Sequence, residues 1–332
     1  MSSHSVEILA PSFDCSAETA RRFRNRGLAN LLRMGHCAPS IMQAMLDVFE
    51  IDAQWLVKLM AGMPGGIGNT GGECGGVTAP LVVLGLRHGQ DEMVQGLPVT
   101  VYKGHHLLRR FAECQGSTSC HDILGDARLP LRCIGVVRQA PLLCAESCSA
   151  DCTSAISAAQ REAFRHLYDY WCENEFHCAH AVLHHLQGAV PVSEGLLNGS
   201  SGFMGGTLFT GMTCSALAAG VMALGLQFGQ IENSHLRVLH MVGLMAIRGD
   251  AFADDVNAFN KTMNLGNRLA QWFTAEFGST QCRAITQCDF STTEGVQRYI
   301  DGGGAARCGA MAQSVALKVR SMIEPVDTTE SA

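Results

Sequence analysis

The chain has 332 residues and 15 cysteines; 47% of its residues are hydrophobic and only 16% are charged. Its net charge of −6 argues against nucleic acid or an anionic membrane surface as the main partner. The length allows one large domain or two domains of about 150–170 residues, each able to bury a core.

The N-terminal residues 1–10 contain neither a basic segment nor a long apolar segment, so we expect no export signal and a cytoplasmic protein. The longest uncharged run, 195–231, is interrupted by many Gly, Ser, Thr and Asn residues and does not predict a membrane helix. In a reducing compartment, many cysteines indicate metal binding or redox chemistry more often than structural disulfides.

An internal repeat organises the sequence. Residues 63–90 match residues 203–230 without a gap, and agreement at constant register does not arise by chance. The identical pairs are Gly65/Gly205, Gly66/Gly206, Thr70/Thr210, Gly71/Gly211, Cys74/Cys214, Leu84/Leu224, Gly85/Gly225, Leu86/Leu226, Gly89/Gly229 and Gln90/Gln230.

The repeat extends in both directions from this segment. The further matching motifs are His-Cys-Ala at 36–38 and 177–179, Gly-Ser-Thr-x-Cys at 116–120 and 278–282, and Arg-Cys at 132–133 and 307–308. The second copy carries an insertion near 231–255. The repeat predicts two homologous domains, 28–140 and 159–325, joined by a Cys-rich linker at 141–158.

We predict a mainly α fold in which a pseudo-twofold axis relates the two domains. Apolar spacing predicts helical structure over 154–187, with Asp151 or Thr153 as the N-cap, and buried helices at 77–88 and 215–228. Glycine-rich loops precede the central cysteines. They either aim backbone N–H groups at sulfur or serve only as tight helix–helix connections.

Each half contains four matched cysteines. They are Cys37, Cys74, Cys120 and Cys133 in the first half, and Cys178, Cys214, Cys282 and Cys308 in the second. Their wide spacing differs from that of zinc fingers and ferredoxins, and the sequence has no covalent haem motif and no convincing NAD fingerprint. Four such thiolates could hold an iron–sulfur cluster or a soft metal, or form exchangeable disulfides; alternatively, the cysteines only fill a core.

The pattern resembles the redox-active protein family that is named for its Cys…Gly-Cys-Ala-x-x-Gly…Cys…Cys signature. The second half is similar throughout, although Ser215 replaces the signature Gly and Ala219 its last Gly. The first half keeps Gly75 but has Gly76 in place of Ala and ends the motif with Pro80. Together the two copies cover most of the chain.

The resemblance implies helical redox domains that act through their four cysteines. The family is similar to a domain of split-Soret cytochromes, in which such cysteines hold an iron–sulfur cluster, so the resemblance favours one cluster per half. Small members of the family would pair as dimers, and this fused chain would be an internal pseudo-dimer.

Seven cysteines have no counterpart in the repeat. They are Cys15, Cys114, Cys144, Cys148, Cys152, Cys172 and Cys288. Cys144, Cys148 and Cys152 follow each other at four-residue intervals and, with Cys172, are candidates for an additional metal site; a core or redox-buffering stripe is the alternative. His36 and His177 precede the first matched cysteine of each half and are possible accessory ligands, or part of a solvated polar face.

We therefore interpret the chain as a redox and electron-transfer protein with an unknown redox protein partner. Two alternatives stay open: a metal-free thiol–disulfide oxidoreductase, and a protein that binds or stores Cu(I) or Zn. Whether the protein is an enzyme, whether it forms a homo-oligomer and which substrate it uses are not determined by the sequence.

Overall fold

The computed structural model describes residues 16–125, 131–231, 235–248 and 260–324. Cys15 and part of the insertion lie outside these residues. Within them the fold is mainly α-helical, as predicted, and the only strands form one short antiparallel hairpin. No helix in the described part of the chain is both long and apolar enough to cross a membrane.

The described residues of the first half form seven α-helices and the hairpin. These elements are α1 (Ala17–Met34), α2 (Cys37–Phe49), α3 (Gln54–Leu59), α4 (Gly75–His88), β1 (Met93–Val94), β2 (Leu97–Pro98), α5 (Val99–Gln115), α6 (Cys120–Leu124) and α7 (Leu131–Ser149). A 3₁₀ turn at Met60–Gly62 follows α3. Another, at Thr153–Ala155, leads into the second half.

The second half repeats this order with additional helices. Its elements are α8 (Ala158–Glu173), α9 (Cys178–His185), α10 (Glu194–Ser200), a 3₁₀ turn at Ser201–Phe203, α11 (Met204–Thr207), α12 (Ser215–Phe228), α13 (His235–Arg248), α14 (Lys261–Phe277), α15 (Cys282–Thr286), α16 (Thr293–Asp301) and α17 (Gly304–Ile323). The buried helices predicted at 77–88 and 215–228 are confirmed as α4 and α12.

The helical segment predicted at 154–187 is divided into α8 and α9. The chain turns between them, where Glu175 adopts a left-handed backbone conformation. Ser157 caps α8 in a reciprocal capping box with Gln160, so the predicted N-caps Asp151 and Thr153 were wrong.

The two central helices, α4 and α12, are packed in equivalent ways. Helix α4 contacts α2, α5 and α7 of its own half together with α10 of the other half. Helix α12 contacts α9, α14 and α17 of its own half together with α3 of the first. In each half, one helix packs against the central helix of the other half. This reciprocal contact is expected of two domains that a pseudo-twofold axis relates.

Two matched glycines allow these contacts between the halves. A Cβ atom on Gly85 would lie 2.3 Å from the Asn198 carbonyl oxygen, and one on Gly225 would lie 2.5 Å from that of Leu59. Because the obstructing atoms are backbone of the other half, a larger residue at either position would force the halves apart.

The insertion in the second half contributes α13, which packs against α1 of the first half. One side of α13 is buried and the other is exposed. The buried residues are Val238, Met241 and Met245, and the exposed apolar residues are Leu236, Leu239 and Ile247. The insertion thus reaches across the pseudo-twofold to the opposite domain.

A buried carboxylate joins the halves near their axis. Glu73 is 1% exposed, and its acceptors are satisfied entirely by the second half. The hydroxyl groups of Thr207 and Thr213 donate to it, and the backbone N–H of Thr213 donates over 3.1 Å. Three donors compensate for removing the carboxylate from water.

We expect Glu73→Ala to destabilise the protein by about 2–4 kcal/mol, because it leaves three buried donors without an acceptor. Urea denaturation followed by circular dichroism measures the change. Glu113→Ala is the matched control, since Glu113 lies on the surface in an ion pair with Arg110 and its loss should change stability little. Equal midpoints for the two variants would contradict a structural role for Glu73.

Candidate functional site

The four matched cysteines of the first half lie at the beginnings of helices. Cys37 is the first residue of α2, Cys74 is the N-cap of α4, Cys120 begins α6, and Cys133 is the third residue of α7. Helix N-termini present unsatisfied N–H groups and positive partial charge, both of which favour thiolates.

A backbone bridge holds two of these cysteines side by side. The Cys74 N–H donates to the Thr118 carbonyl over 2.8 Å, and the Cys120 N–H donates to the Gly72 carbonyl over 2.6 Å. The Gly-Ser-Thr-x-Cys motif therefore pairs with the end of the glycine-rich loop, although 46 residues separate the two cysteines in sequence.

The first-half thiols interact directly. The Cys74 thiol interacts with those of Cys37 and Cys120, and Cys37 lies close enough to Cys133 to raise the pKa of the Cys133 thiol. Interaction with Cys74, together with burial, raises the pKa of Cys37 well above its usual value. Burial raises the pKa of Cys133 to about 12. The thiols of Cys37 and Cys133 are therefore protonated at neutral pH.

The second-half cysteines occupy the same helical positions. Cys178 begins α9, Cys214 is the N-cap of α12, Cys282 begins α15, and Cys308 lies near the beginning of α17. The backbone bridge also recurs: the Cys214 N–H donates to the Thr280 carbonyl over 2.8 Å, and the Cys282 N–H donates to Met212 over 2.7 Å.

The four second-half thiols line a small cavity of about 20 Å³. Burial raises the pKa of Cys214 to about 12 and that of Cys308 to about 11. Their other neighbours differ from those in the first half: Cys308 interacts with Tyr299, and Cys214 Sγ lies 3.8 Å from Met311 Sδ.

The cavity beside the first-half cysteines is larger, at about 230 Å³. Cys37, Cys120 and Cys133 form one wall, and apolar residues of α1 and α13 form the others. In the second half, the aromatic side chains of Trp171 and Tyr299 line the small cavity instead. The two cysteine sets thus have similar backbones and different surroundings.

The glycine-rich loops bring backbone close to the cysteines. Gly206 has φ = 71°, and a Cβ atom there would lie 2.6 Å from Cys282 Cβ. In the first half, a Cβ atom on Gly75 would lie 2.6 Å from Cys37 Sγ. The Gly205 N–H interacts with the Cys178 thiol and opposes the rise in its pKa that burial causes. At this position the loop directs an N–H group at sulfur, the first of the two alternatives that the sequence left open.

His36 and His177 are the buried N-cap residues of α2 and α9. Burial lowers the pKa of His36 to about 4 and that of His177 well below its usual value, so both are neutral at pH 7. The His180 backbone N–H donates to His177 Nδ1 over 3.2 Å. Their proposed role as accessory ligands stays a prediction.

The structure divides the four candidates for an additional metal site. Cys144, Cys148 and Cys152 are buried at the end of α7 and just after it, whereas Cys172 is exposed on α8, where its thiol interacts with Tyr168. Interaction with the Cys144 thiol and with His88 lowers the pKa of Cys148. No interaction links Cys172 to the other three among the described contacts.

Two residues near the cysteine sets were missed by the sequence reasoning. Buried Cys288 lies close enough to Cys282 and Cys308 to raise their pKa values slightly, and its six-residue spacing from Cys282 was the available signal. His88 is the imidazole that contacts Cys148; the signal was its mismatch with Phe228 in an otherwise matching stretch.

We expect the buried cysteines of the metal-free folded protein to resist alkylation. At pH 8, Cys133, Cys214 and Cys308 should remain largely unmodified by iodoacetamide, because their thiolates form only as the pH rises towards 11–12. Exposed Cys114 should react first. Peptide mass spectrometry measures the order, and urea-unfolded protein, in which all thiols should react, is the control. Modification of Cys214 as fast as Cys114 would contradict this reading.

The comparisons with known proteins identify the repeat. The model of the family described as "Putative redox-active protein (C_GCAxxG_C_C)" matches the chain twice, at residues 35–159 and 176–322. These matches contain all eight paired cysteines. No curated protein and no solved structure matches the chain significantly.

Proposed function

Because the chain belongs to the redox-active protein family with the C…GCAxxG…C…C signature, as two copies in tandem, we propose that it is an electron-transfer protein holding one iron–sulfur cluster in each half. The observation that carries this proposal is the convergence, in both halves, of four cysteines that are distant in sequence. Its donor and acceptor would be other redox proteins of the cytoplasm.

The donor set suits such a cluster. Cys37, Cys74, Cys120 and Cys133 would hold the first cluster, and Cys178, Cys214, Cys282 and Cys308 the second. Among the described residues, no three His, Cys, Asp or Glu side chains are already arranged around a single metal ion. Four cysteine thiolates are the usual ligand set of an iron–sulfur cluster. When bound, each cluster supplies a centre that accepts and donates one electron.

The surrounding residues would tune each centre differently. N–H groups at helix starts and in the glycine-rich loop favour the thiolate form, and burial opposes charge. The second half surrounds its cysteines with Trp171, Phe290 and Tyr299, whereas the first half borders an open apolar cavity. We therefore expect two distinct reduction potentials.

A second candidate function is thiol–disulfide exchange without metal. It is favoured by one observation, the direct interaction of the Cys74 thiol with two other thiols, Cys37 and Cys120. Oxidation of two of these thiols would release two electrons and two protons to a disulfide substrate. In the second half, the cysteines interact instead with Ser215, Tyr299 and Met311.

Purification without oxygen tests the proposal. We expect a brown protein that contains iron and acid-labile sulfide in equal amounts. Cys214→Ser should remove about half of the iron, because it disables one of two equivalent sites, and Cys74→Ser should do the same for the other half. Cys114→Ser, which changes an exposed cysteine outside both sets, should leave the iron content unchanged.

A colourless, iron-free protein that forms reversible disulfides would overturn the cluster proposal and support thiol–disulfide exchange. Iron that persists in a Cys74→Ser/Cys214→Ser double variant would contradict the ligand assignment.

A further inference from the structure

Two thiols and an imidazole meet in the first half, outside both sets of matched cysteines. Cys144 and Cys148 lie one turn apart near the end of α7, and His88 is the last residue of α4. The Cys148 side chain interacts with both Cys144 and His88. Cys144 is 1% exposed and Cys148 5%, so this group belongs to the interior of the protein.

The equivalent positions of the second half are occupied by residues that only pack. The register that pairs Cys133 with Cys308 pairs Cys144 with Val319 and Cys148 with Ile323. In the central helices, His88 matches Phe228. All three counterparts are apolar, and Val319 is fully buried.

Contacts in the structure support this register. Cys144 Sγ lies 3.9 Å from the carbonyl oxygen of Pro80 on α4. Gly220 matches Pro80, and a Cβ atom on Gly220 would lie 3.1 Å from Val319 Cγ2. Cys144 and Val319 therefore occupy equivalent places against the central helices. The two halves therefore differ at equivalent places: the first half carries two thiols and an imidazole where the second half carries apolar side chains.

His88 has the environment of a metal ligand. Its side chain is 8% exposed, and its Nδ1 lies 2.8 Å from Glu92 Oε2. Its Nε2 is buried and has no hydrogen-bond partner among the described residues. A carboxylate that fixes one ring nitrogen while the other faces the metal is the usual arrangement around ligating histidines.

Disulfide formation is a poor explanation for the cysteine pair. Residues four apart on a helix have Cβ atoms about 5–6 Å apart. A disulfide requires about 3.5–4.5 Å, so Cys144 and Cys148 could be bridged only if the end of α7 unwound. The same four-residue spacing does suit two ligands of one ion, as in helical metal motifs.

We propose that Cys144, Cys148 and His88 form a Zn²⁺ site that belongs to the first half alone. Two thiolates would balance the charge of the ion and the neutral imidazole would add none, which limits the net charge that the ligands and the ion bury. The side chains are not yet arranged around one point in the metal-free structure. Binding would replace the two thiol protons, which pass to solvent, and draw the three groups together.

The test compares the full-length protein with a variant that carries the residues of the second half, Cys144→Val/Cys148→Ile/His88→Phe. Both are purified anaerobically, equilibrated with Zn²⁺ and analysed for zinc and iron. We expect the variant to lose one equivalent of zinc per chain while its iron content stays unchanged. Because the zinc and iron contents are measured separately, the loss of zinc tests the Zn²⁺ site whether or not the cluster proposal holds. Equal zinc content in both proteins would overturn the inference.

A milder variant keeps the test decisive if the triple variant does not fold. Glu92 is largely exposed and acts through His88 rather than on the ion, so Glu92→Gln should preserve the fold. We expect it to lower Zn²⁺ affinity about 10–100-fold, measured by competition with a chelator. With Co²⁺ as the probe, wild type should show a thiolate-to-metal absorption band that Cys148→Ser abolishes. Unchanged affinity in Glu92→Gln and an unchanged Co²⁺ band in Cys148→Ser would each contradict the site.

Discussion

A pair of backbone hydrogen bonds in each half fixes the position of everything else at the cysteine centres. These bonds join the chain at the N-cap of a central helix to the chain at the first residue of a short helix, 46 or 68 positions later. They place Cys74 beside Cys120, and Cys214 beside Cys282. The glycine-rich loops follow from this constraint, because only a backbone without Cβ can pass so close to a neighbouring cysteine. The helices then supply the N–H groups that face sulfur.

The two centres share a backbone and differ in what surrounds them. Burial raises the thiol pKa values in both halves, so charge develops there only when a partner compensates for it. Aromatic side chains close the second centre, whereas α13, inserted in the second half, forms part of a wall near the first. The two halves thus share the helical placement of their cysteines and differ, through insertion and substitution, in the residues around them. The residues that pack against α4 also include polar groups, whereas the residues at the equivalent places against α12 are aliphatic.

The sequence predicted the features that depend on local pattern. The repeat register, the helical class and the buried helices α4 and α12 are all visible in the spacing of Gly, Cys and apolar residues. The predicted N-cap of α8 was wrong because Asp151 and Ser157 are both good cap residues, and only Ser157 is followed by a glutamine at the third helical position that completes a capping box. Helices α3 and α10 each pack against the other half, and His88 contacts Cys148. Both kinds of contact join segments that are distant in sequence, and no pattern within a single sequence predicts them.

The position of Glu73 shows what fusion of the two copies permits. In a symmetric homodimer, residues at the axis meet their own copies, so a glutamate there would face a second glutamate across an isologous contact. Two buried carboxylates that face each other repel, so one of them would have to bind a proton. In this chain, the matched residue is Thr213, which donates both its hydroxyl and its N–H to Glu73. Two identical chains could not form this unlike pair at their axis, whereas in a fused chain each side of the axis can change independently.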